Sequence, residues 1–542
     1  MAATERASIA AETTPLLSSA EQTYDSSPAQ SEDRDDELED KAPPEGPTVT
    51  RAEEWAYYLY YNGDNGVGPN GYAPVLFQSL ATSSAINPIT GQPCTSTSST
   101  DACVLPFLGR DRRVASIVLL ADGASFFLMT VLFTTLGSAA DYGNASSTIL
   151  LGATLLCWCA QLGFLFVGEE RWRTAMALYI GGMVTYGVTL VFYASVFPRL
   201  ARNTPATKTA RRKISVVEGC GGDGLEAEKE AVEVEALERA RLSSHSTAHS
   251  NWGYLIVLLL SLTLLLPSST KHLPRIEVYV LALTVGYWFL LALPWFTLQK
   301  PRPGPPLPKG ANWLTIGWKQ IAAAVAQRKH LPYTFVYLTG FFLLADGINT
   351  TGALIRVLQA RQTHFSFLSI TLLNLSQAFF SILSCYLYLY VQKRHQLSSK
   401  RMLLITNLIS IAIPAWGLLG LRSSSSIGFR SDWEFWAYNI VFGVGQAPYY
   451  AYSQAVMADL TPPGGEGMWF GLFGLTNRAS SLIGPNVCAA IIERTGKDWA
   501  PFAFLTPICL AATLVIGLGV DVEKGHRDAL DFADRKRGSV RS

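Results

Sequence analysis

The chain has 542 residues, a formal net charge of +1 and only 16% Asp, Glu, Lys and Arg, against roughly 25% in an ordinary soluble protein. Its charge is concentrated in the first 55 residues, in residues 199–250 and in short connectors, leaving apolar runs such as Val114–Leu136, Trp252–Leu266 and Val278–Phe296. This distribution excludes a string of soluble domains, a basic field for nucleic acid and a disulfide-built or zinc fold on eight scattered cysteines, and reads as an all-α polytopic membrane protein.

Residues 1–54 are rich in Ser, Thr, Pro, Glu and Asp and poor in large apolar side chains, so they are predicted to form a disordered cytosolic tail. The start lacks a basic region followed by an apolar one, so no cleavable signal peptide is expected. Within the tail, Glu12 stands four positions before Leu16 and Leu17, the pattern of an acidic dileucine sorting signal that a coat adaptor reads as an address.

Twelve membrane helices are predicted, at about 56–83, 113–136, 147–168, 173–197, 252–270, 276–298, 332–357, 364–391, 401–421, 433–453, 467–490 and 500–520. Each is near the roughly 20 residues that cross the hydrocarbon core. The first is interrupted by Asn62-Gly-Asp-Asn-Gly-Val-Gly-Pro-Asn-Gly71. Its Gly-x-Gly-x-x-Gly spacing has no preceding strand, so a broken helix explains the glycines better than dinucleotide binding. Two six-helix bundles follow, at 55–298 and 332–520, in a major-facilitator-like arrangement. A polar cytosolic insertion is expected at 199–250 inside the first bundle, ending in a surface helix over 225–242. A proline-stiffened cytosolic linker is expected at 299–331, and a solvated cytosolic tail at 521–542.

An even number of spans puts both termini on one side, and the Lys/Arg-rich connectors place that side in the cytosol, Arg110, Arg112 and Arg113 excepted. On this topology Cys94 and Cys103 share a flexible lumenal loop and are expected to pair. The sequon at Asn144 falls in a cytosolic loop and is expected to stay unmodified. The loop Gly137-Ser-Ala-Ala-Asp141-Tyr-Gly143 is similar to the Gly-x-x-x-Asp-x-x-Gly loop that latches major-facilitator halves. Its spacing is compressed and Asn144-Ala-Ser146 replaces the usual basic residues, so a weak charge latch is expected, with Asp141 capping the next helix.

No Walker loop and no His-Glu-x-x-His occurs, which leaves a gradient-driven carrier or uniporter with no cofactor, metal or catalytic residue. Ionisable groups at membrane depth are costly and face cavities or the bundle interior. Asp346, Asp122 and Asp64 are therefore the transport candidates, with Asn65 beside the first break and Asn349 and Thr350 on the same helical face as Asp346. For a neutral amino acid, Asp346 would hold the ammonium, and Gln446 beside Pro448 in the tenth helix would supply an amide. The alternative for Asp346 is a cap of a broken helix or a pair with Arg356.

Several blocks together resemble the fungal autophagy-related vacuolar amino-acid effluxers, a major-facilitator family. They are Glu54-Trp-Ala-Tyr-Tyr-Leu-Tyr60, the Gly137–Gly143 loop, Ala345-Asp-Gly-Ile-Asn-Thr350, and Asp459-Leu-Thr-Pro-Pro-Gly-Gly-Glu-Gly-Met-Trp-Phe-Gly-Leu-Phe-Gly474 running on into Ala479-Ser-Ser-Leu-Ile-Gly-Pro-Asn486. The resemblance implies twelve spans, residence in the vacuole membrane and export of leucine and similar amino acids after autophagic degradation; it supplies no ligand residues. Two other readings stay open at this point: a proton-coupled uptake carrier for another small solute at the plasma membrane, and a non-transporting receptor or scaffold.

Overall fold

The computed structural model describes residues 46–88, 90–94, 103–107, 109–139, 141–168, 170–219, 225–265, 273–307, 312–326, 328–362, 367–422, 427–480, 483–495 and 497–541. Glu12, Leu16 and Leu17 lie outside the described residues. Helix α1 (Arg51–Gly63) starts where the Thr50 hydroxyl accepts the Glu53 N–H at 3.3 Å, with Glu53 and Glu54 at the positive end of the helix dipole. It stops at Asp64, because Gly66 takes φ +79° and a single π turn, Val67–Tyr72, intervenes before α2 (Ala73–Ser83). A side chain at Gly66 would also stand 2.5 Å from the Tyr186 hydroxyl, so only glycine fits this break. Asn65 repairs the interrupted ladder: its amide donates to the Asn62 and Gly63 carbonyls at 3.0 and 3.2 Å, and its Oδ1 accepts the Val67 N–H at 3.1 Å.

A short hairpin, β1 (Val104–Phe107) and β2 (Arg110–Arg113), leads into the next helix with Val104 paired to Arg113. Cys94 and Cys103 form a disulfide beside it, with Cα atoms 6.4 Å apart. The first bundle continues with α3 (Val114–Ala139), α4 (Ala145–Gly163), α5 (Trp172–Arg202), α6 (Pro205–Gly219), α7 (Leu225–Leu265) and α8 (Leu273–Leu298). Helix α9 (Trp313–Ala326) lies in the connector. The second bundle holds α10 (Pro332–Gln362), α11 (Phe367–His395), α12 (Ser399–Leu419), α13 (Asp432–Asp459), α14 (Glu466–Ser480), α15 (Ile483–Thr495) and α16 (Phe502–Gly519), followed by α17 (Val522–Arg541). Among the described residues, eight helices are long and apolar enough to cross a membrane: α3, α4, α5, α8, α10, α11, α12 and α16.

The bundles meet along two lines, α3 against α14 and α7 against α11 and α13. Glycines permit the first. A Cβ on Gly137 would lie 3.0 Å from the Gly467 carbonyl, and one on Gly471 3.1 Å from the Phe133 carbonyl, so the helices touch almost backbone to backbone.

Three connectors differ from the sequence reading. The insertion expected at 199–250 is shorter at both ends, because Arg199 and Arg202 belong to α5 and α7 runs unbroken from Leu225 to Leu265. Ser243, Ser244, Ser246 and Thr247 are buried in the bundle instead of solvated. For three of them the polarity is cancelled locally: Ser246 and Thr247 donate to the Ser243 carbonyl at 2.9 and 2.8 Å, and Ser243 to the Ala451 carbonyl of α13 at 2.8 Å. Hydropathy counts such residues as polar although their hydroxyls are satisfied inside the helix pair. The connector at 299–331 is not only an extended proline run. It adds Gly304 N–H to the Gly143 carbonyl at 2.8 Å, and α9 docks on α3 through Trp318 Nε1 and Thr135 at 3.0 Å. The tail beyond 521 is the amphipathic helix α17, whose Ala529 is buried and whose His526 ring meets the Asp459 carbonyl at 2.9 Å.

Candidate functional site: a central cavity above an ion-pair latch

A cavity of about 440 Å³ lies between the two bundles, within the range of small-molecule sites. The first bundle contributes Tyr61, Asn65 and Asn70 around the α1 break, Tyr186 and Tyr193 from α5, and Thr247, Asn251 and Tyr254 from α7. The second contributes Asn349 from α10, Gln377 from α11, Gln446, Tyr450 and Gln454 from α13, and Phe470, Phe473, Asn477 and Arg478 from α14. Gln377 donates to Gln446 Oε1 at 3.3 Å, which ties α11 to α13 across the wall. Tyr193 stacks on Tyr57 at 4.3 Å and lies 4.6 Å from Tyr61, so the aromatic side of the wall is packed from behind. Arg478 carries the single formal charge on the lining, and among the described residues it pairs with no carboxylate.

Toward the α14 N-terminus the cavity ends on Phe133, Phe470 and Phe473. Beyond them stands a buried charge network. Asp141, in the turn between α3 and α4, accepts the Gly467 and Met468 N–H groups at 2.6 and 3.0 Å and Arg199 Nη2 at 3.0 Å. Arg199 also reaches Glu466 at 3.2 Å, and Arg202 pairs with the same carboxylate. A second cluster joins the halves on this face: Arg239 of α7 pairs with Asp459 at the end of α13 at 2.6 Å and with Glu235 at 2.5 Å. Burial pushes the Asp141 carboxyl up to about 7 against the pull of Arg199, with Glu466 adding to the rise. Burial acts on Glu466 too, but Arg202 and Arg199 outweigh it and hold that carboxyl at about 2. The loop read as a weak latch is thus well supplied with cations, which come from α5 and not from the residues after Gly143. Asp141 caps α14 across the interface, not the following α4.

The sequence candidates divide. Asn65, Asn349 and Gln446 line the cavity, whereas Asp346, Thr350, Asp122 and Asp64 do not. Asp346 Oδ1 accepts the Gly484 N–H of α15 at 2.9 Å and the Thr350 hydroxyl at 3.2 Å, which joins α10 to α15. The Arg356 side chain is outside the described set. Asp122 accepts a short hydrogen bond from Tyr179, between α3 and α5. Asp64 is 1% exposed beneath the α1 break. Arg478 is not among the sequence candidates, because an ammonium partner is expected to be an acid. A lone arginine inside the predicted 467–490 span was the available signal.

Residues 49–530 match the family described as vacuole effluxer Atg22 like. The chain belongs to that family. Autophagy-related protein 22 of Coccidioides immitis is 25% identical over 466 residues, covering 80% of this chain and 77% of its own. Autophagy-related protein 22-1 of Aspergillus niger is 24% identical, with 82% and 78% covered. Among solved structures, the proton:xylose symporter XylE bound to 6-bromo-6-deoxy-D-glucose superposes with TM-score 0.57 at 12% identity, covering 88% of this chain and 98% of that one. The human organic anion transporter MFSD10 gives 0.52 at 14%, covering 88% and 100%. These likenesses establish the major-facilitator fold. This Atg22-like chain is a multi-pass vacuolar transporter, not an enzyme.

Proposed function

We propose that this Atg22-like transporter exports leucine and other neutral amino acids from the vacuole lumen to the cytosol after autophagic degradation, through twelve spans with both termini cytosolic. The observation that carries the substrate class is the cavity wall: among the described residues it holds one cation without a carboxylate partner, Arg478, amides from five helices and aromatic rings, and no carboxylate. This reverses the polarity expected from sequence. The substrate carboxylate is held by the Arg478 guanidinium in a charge-assisted, fork-shaped pair. The ammonium meets amide oxygens such as those of Gln446 and Asn349, with tyrosine faces adding attraction for a cation. The apolar side chain lies on Phe133, Phe470 and Phe473. With the latch face cytosolic, the ion pairs close that side while amino acid enters from the lumen. The Glu12, Leu16 and Leu17 signal delivers the protein by way of a coat adaptor.

Purified protein in liposomes tests this: labelled leucine should enter vesicles preloaded with unlabelled leucine, and not vesicles lacking the protein. Absence of this exchange in correctly folded protein would falsify the reading. A second reading, an organic-anion carrier, is favoured by the same lack of a wall carboxylate. If 4-methylpentanoate, which is leucine without its amine, competes as well as leucine, that reading replaces the first.

A further inference from the structure

Asp64 is an acid near the cavity that the substrate scheme leaves unused. It stands at the C-terminal end of α1, directly before Asn65, and is 1% exposed. Both of its carboxyl oxygens are buried, and among the described residues neither has a hydrogen-bond partner. The Thr189 hydroxyl lies beside it, but donates its single proton to the Tyr186 carbonyl at 2.8 Å. The titratable groups facing Asp64 are Tyr60 and Tyr61 from α1, Cys157 from α4 and Tyr186 from α5. None of these is basic. From α8, Thr284 and Trp288 pack against the neighbouring Gly68 and Gly63, and the Tyr287 hydroxyl donates to Asn62 Oδ1 at 2.5 Å.

An ionised carboxylate with no donor and no counter-charge is not sustained in such a place; the carboxyl takes up a proton instead. Asp346 shows the contrast, since its carboxylate has a backbone N–H and a hydroxyl. Asp64 also stands next to residues of the cavity wall. The Tyr186 hydroxyl lines the cavity, touches the α1 break at Gly66 and makes no hydrogen bond among the described residues. Tyr61 and Asn65, the residues flanking this part of α1, line the same cavity.

We propose that Asp64 is a proton-binding site that couples transport to a proton gradient, loaded from the same cavity as the substrate. The reading rests on the transport function above. One proton leaves cavity water for the Asp64 carboxyl when the cavity faces one side, and returns to water when the cavity faces the other. Loaded together on one side and released together on the other, substrate and proton cross in the same direction, and the coupling is symport. The α1 break is the element that responds. With the carboxyl neutral, the unsatisfied site is tolerated and the halves can rearrange. With substrate and proton released, the rearranged break supplies the ionised carboxylate with a donor, and the empty carrier returns without the proton.

The test uses the full-length protein in liposomes with the membrane potential clamped at zero. With one proton per leucine, each pH unit across the membrane is expected to hold an approximately tenfold leucine ratio at equilibrium, and an entrapped pH indicator should report proton entry with leucine. Asp64→Asn, permanently neutral, should keep leucine exchange within a factor of two or so while losing both the accumulation and the proton signal. Wild-type exchange without proton movement would overturn the coupling and leave the transport reading intact. Asn variant protein that still moves protons would assign the coupling elsewhere. Failure of wild-type protein to exchange leucine at all would remove the transport reading, and the inference with it. Should the Asn variant not fold, infrared spectroscopy of wild type against Asp64→Glu decides the matter: a neutral-carboxyl band that shifts with the Glu substitution supports the site, and its absence overturns it.

Discussion

The Asp141 carboxylate accepts the Gly467 N–H at 2.6 Å, although the two residues are 326 positions apart and belong to opposite bundles. With Met468 N–H and Arg199 completing its shell, Asp141 acts as the N-terminal cap of a helix it is not part of. Removing one partner of such a buried network costs roughly 3–5 kcal/mol. Asp141→Ala is therefore expected to shift the closed-to-open balance of this face by at least about two orders of magnitude. A cysteine placed at Ala194, on the cavity wall, should then react with a membrane-impermeant maleimide from the latch face, and should stay protected when Asp141 is intact. Unchanged protection in the alanine variant would mean the second cluster, around Arg239, closes the face by itself.

The same network gives a pH dependence. Because burial and Glu466 raise the Asp141 carboxyl to about 7 in the closed form, that form binds more protons than the open one between the ordinary carboxylate range and neutrality. Its closure is favoured at low pH and weakens as pH rises through 7. Glu466 is shifted the other way, to about 2, and its contribution is constant above the ordinary range. Labelling of the Ala194 cysteine should accordingly speed up between pH 5 and 8. A rate that falls over this interval, after correction for thiolate formation, would reverse the assignment.

Arg478 is the residue on which the substrate class turns. Arg478→Gln keeps a donor but loses the charge and the fork. Loss of a charge-assisted pair costs roughly 1.5–3 kcal/mol, so half-saturation for leucine should rise about 10- to 100-fold. Arg478→Lys keeps the charge and should recover part of the loss. Leucine exchange at subsaturating concentration, with equal amounts of each protein, checks both. Wild-type half-saturation in the glutamine variant would remove the arginine from the binding scheme.

Legibility from sequence followed hydropathy. Helices α3, α5 and α10 were visible because their apolar runs have the length that a bilayer demands. The inner part of α7 was not, since Ser243, Ser246 and Thr247 satisfy their hydroxyls on helix carbonyls and so enter the bundle at little cost. The break at Asp64–Gly66 was legible from its glycines. Which polar residues meet across the cavity was not, because Asn65, Gln446 and Arg478 come from the α1 break and two helices whose relative rotation no local pattern encodes. Asp141 and Arg199 illustrate the same point: the loop looked short of cations because its partner sits 58 positions away on α5.

The docked C-terminal helix carries a second pH response. Burial, with Arg239 nearby, lowers the His526 imidazole below its ordinary 6.5 where it meets the Asp459 carbonyl. The docked form prefers the neutral ring, so docking is fully stabilised above the ordinary value and weakens as pH falls below it. Amide hydrogen exchange across Val522–Arg535 should be faster at pH 5.5 than at pH 7.5, after correction for intrinsic rates, and His526→Gln should remove the difference. Equal protection at both values in the wild type would show that apolar contacts such as Ala529 hold the helix regardless of the ring.

Asp346 was the sequence's first choice for the substrate ammonium, and its surroundings give it a different expected role. Its Oδ1 receives the Gly484 N–H and the Thr350 hydroxyl, and a Cβ on Gly484 would overlap that carboxylate and the threonine oxygen. The three residues therefore join α10 to the start of α15, outside the cavity. Asp346→Asn keeps an acceptor at Oδ1 and should leave leucine half-saturation within about twofold of wild type. Asp346→Leu leaves a buried N–H without a partner, which costs about 1–3 kcal/mol. Gly484→Ala should be damaging as well, through overlap. The measurement is a pair: thermal unfolding of the purified protein and leucine exchange by the fraction that remains folded. The staple predicts a lowered unfolding temperature for Asp346→Leu and Gly484→Ala, with near-normal half-saturation for Asp346→Asn. An Asn variant that folds normally yet binds leucine a hundredfold more weakly would return Asp346 to the ammonium-binding role.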